Sequence, residues 1–77
     1  MELREIRTFL QIAQKQSFSK AAEALGYSQA AVTVQIKQLE EELGIHLFDR
    51  LGKKTVLTHH GEIFYRHLLA FITAQYI

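Results

Sequence analysis

Gln29, Thr33 and Lys37 recur every four residues in a stretch free of acidic side chains, and Arg50, Lys53 and Lys54 follow shortly after. An amide, a hydroxyl and an ammonium on one helical face can bond base edges and phosphates of a nucleic acid. Ala30 and Val34 share that face and can touch a thymine methyl. His59, His60 and Glu62 suggest a metal, but adjacent histidines diverge by ~100° on a helix and lack the i, i+4 spacing of a zinc-protease pair. Polar residues at a helix start are the plainer reading. Glu40, Glu41 and Glu42 also diverge around a helix, so no acid–base carboxylate pair follows. There is no glycine-rich phosphate loop, and the absence of cysteine excludes thiolate zinc sites and disulfides. The expectation is a protein that is not an enzyme and uses no cofactor or metal.

The elements that must position these residues are legible from spacing. Leu3, Ile6, Phe9, Leu10 and Ala13 predict an amphipathic helix over residues 3–15. Ser19 is the expected N-cap of a short helix over Lys20–Leu25, which Gly26 ends. Ser28 is a second N-cap, for a helix from Gln29 to Leu43 that stops at Gly44. Two helices separated by a short glycine-containing turn make a helix-turn-helix, here over about residues 18–37. The period then changes to two in Ile45–Arg50 and again in Thr55–Thr58, with Leu51-Gly52-Lys53-Lys54 between them. This predicts a β-hairpin within about residues 46–58, with an irregular loop as the alternative. Thr58 is the expected N-cap of a last helix. The predicted fold is all-α with a small hairpin: a winged helix-turn-helix domain over residues 1–58, made of a three-helix core and a two-stranded wing, followed by a C-terminal linker and dimerisation helix (59–77).

On the third helix, Val32, Ile36, Leu39 and Leu43 fall within an arc of roughly 60° and form the core stripe. Gln29, Ala30, Thr33, Val34 and Lys37 lie away from it and are short or polar. Short side chains let a helix approach another surface closely, and the three glutamates sit at the far end. An ordinary solvated face competes with this reading. The cations Arg50, Lys53 and Lys54 on the hairpin tip favour a phosphate surface. Together with Lys37 they give about eight phosphate contacts in a pair of chains and a log–log salt slope near −7.

The 77 residues are 48% hydrophobic and 22% charged, with net charge +1. A chain this short buries a small core, so self-association is expected to help stabilise it. Net charge alone points to no partner; the segregation of cations from Glu40–Glu42 does. No apolar run long enough for a membrane span is present, and Met1–Glu5 lacks the order of a signal peptide, so a cytoplasmic protein is expected.

Ala21-Ala22-Glu23-Ala24-Leu25, Ser28-Gln29, Ile36 to Gly44, Leu47-Phe48-Asp49-Arg50 and Leu57-Thr58 followed by Gly61 together resemble the LysR-type bacterial transcriptional regulators. The resemblance spans nearly the whole chain. It implies sequence-specific binding of double-stranded operator DNA for regulation of transcription, with the third helix in the major groove. It implies base contacts at Gln29 and Thr33, and phosphate or minor-groove contacts at Arg50 and Lys53. The chemistry of the residues themselves adds Ala30 and Val34 to the expected base contacts and Ser28, Lys37 and Lys54 to the expected phosphate and wing contacts. Family members dimerise through the last helix, often assemble into tetramers, and bind a small-molecule inducer in a C-terminal effector domain, which these residues do not contain. Two positions depart from the family: Ala30 stands where proline is common, and Val34 where arginine or another polar residue is common.

The last helix is apolar on most of its circumference. From Phe64 as reference, Tyr65, Leu68, Leu69, Phe71, Ile72 and Tyr76 spread over roughly 160°, and Ile63, Ala70, Ala74 and Ile77 form a second stripe. A small body covers one stripe, so the other predicts an antiparallel helix pair in a homodimer, with Ile63, Ala70, Phe71, Ala74 and Ile77 as dimerisation residues. A helix-mediated protein-interaction module without DNA binding is the rival function; its pairing would be nearly insensitive to salt.

Overall fold

The computed structural model describes residues 1–75. The order is α1 (Leu3–Lys15), α2 (Phe18–Leu25), α3 (Gln29–Leu43), β1 (Phe48–Leu51), β2 (Lys54–Leu57) and α4 (His59–Gln75). This is the winged helix-turn-helix order expected from the sequence.

Phe9, Ile12, Ala21, Ala22, Val32, Ile36, Leu39, Leu47 and Phe48 form the buried core. Phe9 is its hub: its ring centroid lies 5.3 Å from Phe48 and 5.1 Å from Phe64, within the range of favourable tilted and edge-on aromatic packing. On α1 the buried face is rotated from the one the apolar spacing predicts. Leu3 is 81% exposed, while Glu5 and Thr8 are buried beside Phe9 and Ile12. The polar pair is tolerated because each finds a partner. The Glu2 backbone N–H donates to Glu5 Oε1 at 3.1 Å, and Thr8 Oγ1 donates to Gln35 Oε1 of α3 at 2.6 Å.

The start of α2 also differs from expectation. Gln16 ends α1 in the left-handed conformation (φ 54), so Ser17 is already extended and caps α2, accepting from the Lys20 N–H at 3.1 Å. Ser19 lies inside the helix, one hydroxyl contact from Ser17. The boundaries of α3 fall where expected: Ser28 accepts from the Ala31 N–H at 3.1 Å, and Gly44 closes the helix at φ 68.

The hairpin is shorter than the alternation suggests. Phe48 pairs with Leu57 and Leu51 with Lys54, leaving Gly52 and Lys53 as a two-residue turn in which Gly52 supplies the positive φ (63). Ile45, His46 and Leu47 precede the strand: the Ile45 and Leu47 N–H groups are bonded to Glu40 of α3, and the His46 and Leu47 carbonyls to Thr58, between β2 and α4. The Leu47 N–H donates to Glu40 Oε2, and the Leu47 carbonyl accepts from the Thr58 N–H at 3.0 Å. Thr58 caps α4 as expected, with the Gly61 N–H donating to its hydroxyl at 2.9 Å.

Phe64, Tyr65 and Leu68 pack α4 on the core. Ile63, Leu69, Ala70, Phe71 and Ala74 are exposed, Phe71 by 65%. Leu69 and Phe71 thus lie outside the face that meets the body. Tyr76 and Ile77 lie outside the described residues. Among the described residues no helix is long and apolar enough to cross a membrane.

Candidate nucleic-acid interface

α3 exposes the whole of its expected outer face. Gln29, Ala30, Thr33, Val34 and Lys37 are all solvent-accessible, and Val34 is 53% exposed despite being apolar. The helix is held from behind by Val32, Ile36 and Leu39 in the core and from the side by Gln35 on Thr8. Thr33 Oγ1 donates to the Gln29 carbonyl at 3.0 Å. With its proton committed, Thr33 offers a ligand an acceptor and a methyl. Ser28 spends one lone pair on the cap, at the end of α3 where backbone N–H groups and the positive end of the helix dipole collect.

The wing stands beside this face, and a trough runs between them. One part, about 330 Å³, is lined by Ser17, Phe18, Ser19, Gln29, Thr33, Arg50, Lys53 and Thr55. It continues into a second part of about 310 Å³ through the shared residues Phe18, Thr33, Arg50 and Thr55. That second part adds Lys37, Ile36 and Phe48 and ends at Glu40, His46 and Asp49. Polarity thus changes along the trough: cations and hydroxyls at the α3 start, carboxylates at the far end.

Strand alternation decides which wing cations join it. Phe48 and Arg50 share the inner face of the hairpin with Leu57 and Thr55, while Leu51, Lys54 and Val56 take the outer face; Asp49 alternates with Phe48 and Arg50 along β1 but still borders the far end of the trough. Arg50, with Lys53 from the turn, meets Gln29 and Thr33 around one trough, and Lys54 stands on the opposite side, paired with Leu51 in the register. Sequence reasoning missed Ser17, Phe18 and Ser19, which line the same trough from the N-terminus of α2. The cap two residues earlier than expected is what places them there.

The three glutamates have separate fates. Glu42 pairs with the N-terminal ammonium of Met1, and the Glu42 hydrogen bond holds that amine's pKa above its ordinary value. Glu40 is turned toward the wing, and Glu41 is exposed. His59 and His60 stand at the α4 start with ring centroids 6.0 Å apart, and no metal-holding cluster of three ligands forms among the described residues.

Comparisons with known proteins agree with this geometry. The model of the family described as "Bacterial regulatory helix-turn-helix protein, lysR family" matches residues 3–62. The RuBisCO operon transcriptional regulator of Allochromatium vinosum is 48% identical over 66 residues, covering 84% of this chain and 22% of that protein. The HTH-type transcriptional regulator BenM of Acinetobacter baylyi is 40% identical over 73 residues, covering 95% of this chain and 24% of that protein. The chain thus spans about a fifth to a quarter of the length of these two relatives. Among solved structures, the BenM_DBD/catB site 1 DNA complex superposes with a TM-score of 0.87 at 39% identity, over 96% of this chain and 82% of that one. The CbnR_DBD–DNA complex gives a TM-score of 0.81 at 31% identity, over 97% of this chain and 90% of that one. From residue pattern, fold and relatives alike, the chain belongs to the LysR family of bacterial regulatory helix-turn-helix proteins.

Proposed function

We propose that the chain binds double-stranded operator DNA in a sequence-specific manner to regulate transcription, with α3 in the major groove and the wing against the backbone and minor groove. The observation that carries this is the short, acid-free outer face of α3, bordered by Arg50 and Lys53 across a single trough. Gln29, Ala30, Thr33 and Val34 are the base-reading positions. Gln29 is suited to the N6 and N7 edge of adenine, and Val34 and Ala30 to thymine methyls. Ser28, Lys37, Arg50 and Lys53 hold phosphates, and Ser17 and Ser19 add hydroxyls at the start of α2. Lys54, on the outer face of the wing, stands away from the trough and is not among these phosphate contacts.

The apolar outer face of α4, with Ile63, Ala70, Phe71 and Ala74, supports a homodimer through an antiparallel helix pair. A two-fold axis there presents two α3 helices to successive turns of the groove. The chain acts in the bacterial cytoplasm, where operator DNA resides.

Selection of bound sites from a random duplex pool tests this reading. A two-fold symmetric half-site repeat is expected. Recovery of no sequence preference, with binding indifferent to salt, would remove it in favour of a protein-interaction module. With Lys37, Arg50 and Lys53 on the trough of each chain, the salt slope for a dimer is about −5.

A further inference from the structure

Glu40 is a misplaced charge if the trough receives phosphate. Its carboxylate lines the same cleft as Lys37 and Arg50, and its side chain is only 17% exposed. An acid there repels the ligand, so its presence calls for a compensating role. The bonds it makes supply one. Glu40 Oε2 accepts the Leu47 backbone N–H at 2.7 Å and stands 3.3 Å from His46 Nδ1.

His46 and Leu47 are the residues on which the wing hangs. Their carbonyls accept from the Thr58 hydroxyl and the Thr58 N–H, which fixes the same dipeptide to the α4 cap. On the far side of the hairpin the Thr55 N–H donates to the Gln16 carbonyl at 3.1 Å. The wing is therefore tied to α1 through β2 and to α4 through Thr58. Of these side-chain and backbone ties, only the Glu40 carboxylate joins the wing's leading segment directly to a side chain of the helix beside the trough. We propose that Glu40 is a positioning residue for DNA binding: by holding Leu47 it sets the gap between α3 and the wing, so that Arg50 and Lys53 reach phosphates while α3 reads bases. This rests on the duplex-binding reading above.

The test separates geometry from charge. Glu40→Asp keeps the charge but shortens the side chain by one carbon–carbon bond, ~1.5 Å, which takes the carboxylate out of reach of Leu47. Glu40→Gln removes the charge and keeps an oxygen that can accept the Leu47 N–H. Glu41→Gln removes a charge next door that has no such bond. Affinity for a labelled mixed-sequence duplex is measured across a salt series for the wild-type chain and the three variants.

Loss of the Arg50 and Lys53 contacts, about four in a dimer, reduces the magnitude of the slope by up to about 3.6, so Glu40→Asp is expected to bind with a slope of about −2 to −3 and more weakly at low salt. Glu40→Gln and Glu41→Gln are expected to keep the wild-type slope. A merely structural role would lower the melting temperature and leave the slope of the folded fraction unchanged. Amide exchange in the free protein supplies a second readout: Leu47 should exchange at least about tenfold faster in Glu40→Asp and near the wild-type rate in Glu40→Gln. The wild-type slope tests the duplex reading, while the differences between variants and the exchange rates test the tie. An Asp variant with the wild-type slope and a protected Leu47 amide would overturn the proposal, as would a Gln variant that loses both.

Discussion

Gly61→Ala should destabilise this protein, although alanine is the better helix former. Gly61 is buried at the third position of α4, against the segment that leads into the wing. A Cβ there would fall inside the envelope of the Leu47 carbonyl oxygen, with the carbonyl carbon at 3.1 Å and Leu57 Cδ2 at 3.2 Å. The obstruction is backbone, so it cannot swing aside as a side-chain tip would. That oxygen also accepts the Thr58 N–H, and pushing it away forfeits a bond of about 1 kcal/mol. Overpacking adds about 1–3 kcal/mol, while the helix propensity of alanine returns about 1 kcal/mol. The balance is a net loss of about 1–3 kcal/mol. Each kcal/mol moves the midpoint of a domain this size by about 4–8 °C, so the melting temperature should fall by roughly 5–20 °C. Thermal and urea unfolding followed by circular dichroism measure it. A variant as stable as the wild type would refute the claim that α4 is seated directly on the Leu47 carbonyl.

Other substitutions probe the interface and its supports. Gln29→Ala should cost about 1–3 kcal/mol on a selected operator and little on random DNA by fluorescence anisotropy; equal losses on both would refute base reading by Gln29. Phe71→Glu places a charge on the exposed face of α4 and should shift sedimentation at high concentration from dimer to monomer, whereas an unchanged dimer would put the pairing surface elsewhere. Ser17→Ala should cost about 1 kcal/mol of stability through the lost α2 cap, and Ser19→Ala much less; the reverse order in urea titrations would restore Ser19 as the cap.

Helix boundaries marked by serine and glycine, as at Ser28 and Gly44, were readable in the sequence because capping is local chemistry. The outer face of α3 was readable for a similar reason: the positions of Gln29, Thr33 and Lys37 follow from the helical angle once Val32 and Leu39 are known to be buried. The buried face of α1 was less accessible. Hydropathy assigns Leu3 inward and Thr8 outward, and only a tertiary partner, Gln35, reverses the second. Glu40 could not be told from Glu41 and Glu42 by type, since what distinguishes it is a backbone N–H seven residues ahead. The separation of Lys54 from Lys53 needed the strand register, which the two-residue turn sets and the alternation alone left open.

If α3 reads bases as proposed, the bond from Thr33 to the Gln29 carbonyl, for as long as it holds, bears on which letters of DNA the helix tolerates. A threonine that has given its proton to the helix cannot also give it to O6 or N7 of guanine. At that point of the groove it is restricted to partners that bring their own hydrogen, the exocyclic amines of adenine and cytosine, or to the methyl of thymine. A guanine facing Thr33 would meet an oxygen with an oxygen, so discrimination here would come from exclusion more than from attraction.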